Sequence, residues 1–149
     1  MPYIKKEDRV KFETPIQDFI ESAHFGHDIE PEYVVTVAEK VMAIGEANYF
    51  ISRVVWGLFS ATPSYTLGNK LISVLKDVEA YLVNKNSWAG SVHDMEANVL
   101  YEALCLLCYQ LKKRLPDVRG MLECVVLEFY RRKLGPYEDS AIQKNGDIE

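Results

Sequence analysis

The sequence predicts an all-α fold, a single-domain bundle of about six helices. Two observations carry that expectation: apolar residues recur at the 3.6-residue helical spacing along most of the chain, and glycine or proline interrupts the pattern at each boundary while strand-like alternation is almost absent. Composition agrees, since 149 residues with 48% hydrophobic and 26% charged are ordinary for one globular domain with a real core. We expect a bundle domain over 1–136 and a polar C-terminal tail over 137–149.

The elements follow in order. Thr14-Pro-Ile-Gln17 reads as a capping box with proline at the first helical position, and Ile16, Phe19, Ile20 and Ala23 then share a face until Gly26 stops the first helix. A second helix begins at Pro31 and lays Val34, Val37, Ala38 and Val41 on one side before Gly45. The third, about 46–60, presents Ala47, Ile51, Val54, Val55 and Leu58 as one stripe and Tyr49, Arg53 and Trp56 as another. Thr62-Pro-Ser breaks it.

The fourth helix, about 66–83, aligns Leu67, Leu71, Val74, Leu75, Val78 and Leu82 and sets Lys70, Ser73, Lys76, Asp77 and Ala80 opposite. After a polar loop, Ser91 is expected to cap the fifth, which runs to about Leu115 and is apolar all round between Ala103 and Cys108, as the central helix of a bundle should be. Pro116 marks the next boundary. The sixth helix, about 117–134, buries Val118, Met121, Leu122, Val125 and Phe129, and Gly135-Pro136 is expected to end it sharply.

The net charge of −5 argues against general nucleic-acid binding, which rests on a basic face. No window approaches the roughly 18 uninterrupted apolar residues of a membrane span, and the N-terminus lacks a signal-like apolar region, so a cytoplasmic location is expected. Three cysteines do not make a disulfide framework. Cys105 and Cys108 form a C-x-x-C in the middle of a leucine-rich helix rather than at its start, which reads as buried thiols acting as small hydrophobes.

The closing stretch Glu128-Phe-Tyr-Arg-Arg-Lys-Leu-Gly-Pro-Tyr-Glu-Asp concentrates aromatics, guanidiniums and carboxylates. One reading is a solvated face on which Glu128 pairs with Arg131 or Arg132 at i,i+3 or i,i+4. The other is an anion site in which Arg131 and Arg132 offer planar forks, Tyr130 and Tyr137 offer stacking surfaces, and Asn48, Tyr49 and Arg53 line the same cleft.

Three segments carry a family resemblance: Met1-Pro-Tyr-Ile-Lys-Lys-Glu-Asp-Arg9, Gly45-Glu-Ala-Asn-Tyr-Phe-Ile-Ser-Arg53, and Gly120-Met-Leu-Glu-Cys-Val-Val-Leu-Glu-Phe-Tyr-Arg-Arg132 with Gly135-Pro-Tyr-Glu138 and Asn145-Gly-Asp147. Together they resemble an uncharacterised family of small helical proteins of bacteria and their viruses, known only as a domain of unknown function. The chain departs from that pattern by a helical stretch over 63–116 and by ending in Ile148-Glu149 where members tend to end in an aromatic residue. The resemblance implies no activity.

Metal and nucleophile patterns are poor. Glu21-Ser-Ala-His24 is a single Glu-x-x-His unit where di-iron bundles use two, and Asp94, Glu96, Glu102, Glu123 and Glu128 do not reproduce the acidic pairs that hold magnesium in all-α pyrophosphohydrolases. His93 has no nucleophile beside it in sequence. No cofactor is implied. The expectation is a non-enzymatic module binding a nucleotide-like anion through Asn48, Tyr49, Arg53, Glu128, Tyr130, Arg131, Arg132 and Tyr137. The nine tyrosines and two tryptophans point further to a homo-oligomer. A metal-dependent nucleotide hydrolase and a protein adaptor are the alternatives.

Overall fold

All six expected helices are present in a computed structural model, which describes residues 3–84 and 94–146: α2 (Glu13–Phe25), α3 (Pro31–Lys40), α4 (Ile44–Ala61), α5 (Tyr65–Val83), α6 (Met95–Lys112) and α7 (Val118–Phe129). Two more frame them. A short α1 (Lys6–Arg9) runs through a 3-10 turn (Val10–Phe12) into α2, and α8 (Gly135–Asn145) follows a π-turn (Tyr130–Leu134) at the end of α7. Among the described residues there is no strand, and no helix is long and apolar enough to cross a membrane.

The start of α2 differs from expectation. Phe12 is fully buried, with its ring 5.9 Å from that of Phe50 and 6.4 Å from that of Tyr49, so the turns before it are drawn against the bundle as helix. Thr14 therefore lies inside the helix and caps nothing. Gly26 does end α2, in the left-handed region at φ 72°, and the Ser22 carbonyl accepts from both Gly26 and His27.

A second difference separates α3 from α4. Val41 leaves the helix in extended conformation and buries its side chain completely, so α3 stops at Lys40 and α4 begins before Gly45. Glu46 stabilises this junction, accepting the Met42 N–H at 2.9 Å and pairing with Lys11 at 2.8 Å.

Ser64 caps α5, its hydroxyl accepting from Leu67 at 3.0 Å. Asp77, expected on the polar side of that helix, is instead buried, because α6 and α7 both pack on α5 and leave it a narrow exposed strip. Asp94 caps α6 through the Ala97 N–H at 2.8 Å; Ser91 and His93 lie outside the described residues. The helix ends at Lys112, short of Leu115. Asp117 caps α7 from a left-handed backbone at φ 58° and accepts from Gly120. A Cβ at residue 120 would lie 2.5 Å from the Asp117 carboxylate, which would have to shift to keep the cap.

Helix α6 is the centre of the bundle, touching α2, α3 and α5, with Leu100, Leu104, Leu107 and Leu111 almost wholly out of water. Each such leucine contributes about 1.5–3 kcal/mol by burial. On the other side of the molecule, α4 packs against α2 and α7, and α7 also leans on α5.

The expected stop at Gly135-Pro136 is overturned: the chain stays helical to Asn145. Pro136 has no N–H and its ring would strike the carbonyl four residues back in a regular α-helix. One wide turn relieves the clash, with the Gly135 N–H bonded to the carbonyl of Tyr130, five residues back. A Cβ at 135 would sit 2.9 Å from that carbonyl oxygen, so glycine is the residue the turn accepts. The wide turn directs Leu134 inward, where it is 1% exposed and rests on the bare backbone of Gly68 in α5.

A Cβ at residue 68 would meet Leu134 Cδ1 at 2.6 Å. Gly68→Ala should therefore destabilise the protein by about 1–3 kcal/mol despite alanine's higher helix propensity. In a Leu134→Ala background the same change should become neutral or stabilising. Denaturant titrations of the four proteins in this double-mutant cycle measure the coupling.

Candidate functional site

The three segments that carry the family resemblance meet on one face. From the N-terminal segment, the Tyr3 hydroxyl donates to Glu128 at 3.1 Å, and the Tyr3 ring lies under the Arg132 guanidinium, 5.1 Å from its carbon to the ring centroid. Arg9 donates from Nε to the Ile4 carbonyl at 3.1 Å, which folds the segment back, and its guanidinium stands 5.6 Å from the centroid of Tyr49. Arg53 covers the same ring at 5.5 Å and donates to the Tyr49 hydroxyl at 2.5 Å. One turn further along α4, Trp56 supports Lys133 of the π-turn, with Nζ 5.5 Å from the ring. Each cation is thus positioned by an aromatic face, a contact that contributes about 0.5–1 kcal/mol where solvent is near.

Among the described residues, Glu128 is the carboxylate at the centre. It accepts both forks of Arg131, at 3.1 Å from Nε and 2.9 Å from Nη2, and lies 3.8 Å from Arg132 Nε. Hydrogen bonding from Arg131, then from Tyr3, and the charges of both arginines hold its carboxyl below the usual 4.5.

The structure sorts the expected site residues. Arg53, Glu128, Arg131 and Arg132 lie at the surface or its margin and share the face just described. Asn48 does not reach it: the side chain is 2% exposed and accepts from Ser52 at 3.0 Å within the core. Tyr49 is 3% exposed and acts as a buried platform between two arginines. Tyr130 turns toward α8 and donates to Glu138 at 3.0 Å. Tyr137 meets Phe59 edge-on at 5.9 Å, and Phe59 meets Phe129 at 5.3 Å, so Tyr137 anchors α8. Sequence reasoning missed Tyr3, Arg9, Trp56 and Lys133 as members of this face. The resemblance already singled out the segment holding Tyr3 and Arg9, and that was the available signal.

Carboxylates suited to a metal are dispersed among the described residues. Glu123 neighbours Glu79 of α5, whose carboxyl is raised first by burial and then by that neighbour, while Arg119 stands 3.6 Å from Glu79 and Glu128 is held by arginines. Glu21 lines one concavity and His24 another. Among the described residues no group of three His, Cys, Asp or Glu side chains is arranged to hold a metal ion. Cys105 and Cys108 are buried, and burial pushes the Cys105 thiol up to about 12 and Cys108 upward as well.

Comparison with known proteins adds one finding. A family model described as a domain of unknown function (DUF6899) matches residues 96–148, a stretch that takes in α6, α7, the π-turn and α8. The opening and central segments lie outside it, and α6, which the sequence reading set apart as a departure, lies within it. No curated protein and no solved structure matches the chain.

Two measurements test this geometry. A depressed carboxyl stabilises the fold above its unfolded pKa and loses that contribution as pH falls through the folded value. The stability gap between the native protein and Glu128→Gln should accordingly be widest near neutral pH and close below 4.5 in denaturant titrations at several pH values. In the native protein, iodoacetamide should label the exposed Cys124 and leave Cys105 and Cys108 untouched until denaturant is added, as peptide mass mapping would show.

Proposed function

We propose that this protein is a non-enzymatic, cytoplasmic binding module that holds an anionic, nucleotide-like small molecule on the face built by the N-terminal segment, α4 and the π-turn. A single observation supports the reading: Arg9, Arg53, Arg132 and Lys133 converge on one face, each set against the ring of Tyr3, Tyr49 or Trp56, in a chain whose net charge is −5. Guanidiniums offer paired donors to phosphate oxygens, and the exposed ring of Tyr3 offers stacking for a base. The arginines are oriented before any ligand arrives, which lowers the ordering cost of binding. A π-turn at this position fits, since such turns recur at functional sites. A homo-oligomer remains part of the proposal, resting on the aromatic supply; one symmetric peak at the monomer mass in light scattering would remove it.

The test is a thermal-shift and mass-spectrometric panel of nucleotides, cyclic dinucleotides and ADP-ribose derivatives, with and without magnesium. The expected result is a protein stabilised without metal by a ligand recovered intact. Replacing Arg131 and Arg132 with alanine should weaken that ligand roughly 10- to 100-fold with helical content unchanged, as expected for lost charge-assisted hydrogen bonds. Equal affinity in the folded double variant overturns the proposal. Consumption of the ligand only with metal replaces it with a hydrolase, and silence across the panel with a retained protein partner replaces it with an adaptor.

A further inference from the structure

A second site lies away from the basic face, where the ends of α2 and α4 meet the beginnings of α5 and α6. These four helices frame a half-open cavity of about 210 Å³ with Leu58, Leu71 and Leu100 among its lining residues. It exists because two inward positions carry small side chains. Ala23 of α2 and Ala97 of α6 are 2% and 5% exposed and line the space that larger residues would fill. A dry apolar cavity of about 150 Å³ already admits benzene, so this one has room for an aromatic ring with a small substituent.

The mouth defines the substituent. Lys70, His24, Thr62 and Glu96 lie around it, with Leu67 beside them. The Lys70 ammonium is paired with Asp94, which also caps α6, so its charge is already balanced. The Glu96 carboxylate would repel an anion. Thr62 and His24 add hydrogen-bonding groups at the rim. Next to His24 and Glu96 in the chain, Phe25 and Met95 are 66% and 73% exposed, and Met95 lies over the bare backbone of Gly26. Such a combination, an apolar chamber with a few convergent polar groups at its edge, is the usual form of a small-molecule site.

From this geometry we infer that the cavity binds a small neutral aromatic molecule bearing one hydrogen-bonding group, of the phenol or indole class. The site shares no residue with the basic face and does not depend on the reading of that face. Phenol and indole are the probes, titrated into the full chain while backbone amide shifts and the thermal midpoint are followed. Saturable shifts confined to the surroundings of Ala23, Leu71, Ala97 and Leu100, with a rising midpoint, are the expected result. Ala97→Leu should fill the chamber and abolish saturation. Leu67→Phe, at a half-buried rim position that tolerates bulk more readily, should narrow the mouth and weaken binding at least tenfold. Arg131→Ala with Arg132→Ala should leave the titration unchanged. Shifts that stay linear and spread over the whole surface overturn the inference, as does saturable binding of undiminished affinity in either filled variant.

Discussion

A proline inside a helix removes one backbone donor and pushes its ring at the carbonyl of the previous turn. This chain meets that conflict at Pro136 by widening the turn before it, and much of the molecule's second half follows from the solution. The wide turn needs a residue without Cβ at position 135. It places Leu134 over Gly68, which fixes the distance between α5 and the end of α7. It also lifts Lys133 onto Trp56 and carries Tyr137 to Phe59. A proline that usually terminates a helix here joins two helices and docks both.

The basic face is better explained by orientation than by folding energy. Exposed ion pairs such as Glu128 with Arg131 contribute little to stability, and stacked cations at a wet surface contribute only modestly. Five cations, Arg9, Arg53, Arg131, Arg132 and Lys133, gathered on one side of an acidic chain repel one another. Aromatic rings and one central carboxylate offset that repulsion and keep the arginines extended. The chain thus maintains an arrangement that its core does not require.

Much of the architecture was legible in the sequence because six amphipathic stripes were long and consistently spaced. Leu100, Leu104, Leu107 and Leu111 could hardly be read otherwise. The failures came where tertiary packing overrode a local signal. Thr14-Pro-Ile-Gln17 has the pattern of a helix start, but burial of Phe12 extended the helix past it. Gly135-Pro136 has the pattern of a stop, and nothing in residue identity alone separates a stop from a widened turn. The Val41 exit was invisible because a buried valine suits helix and extended chain alike. On the basic face, Arg53, Arg131 and Arg132 had been picked out by their chemistry, and their role toward a ligand belongs to the proposal. Asn48 and Tyr49 were misplaced because α4 is buried by α2 on one side and α7 on the other, so its apolar face is wider than a single stripe implies. Tyr3 and Arg9 were out of reach of any local pattern, since their partners lie more than a hundred residues away in one case and about forty in the other.

The widened turn has one more implication, for angular phase. An α-helix advances roughly 100° per residue, so an extra residue accommodated in one turn rotates everything beyond it by about that angle relative to α7. A helical wheel drawn continuously from 118 to 145 therefore mixes two unrelated registers, and the ring that meets Phe59 falls on an arbitrary spoke. The length of this one turn acts as a rotary setting for α8. Shortening it by a single residue would leave every downstream side chain chemically intact and turn the apolar side of the helix away from the bundle.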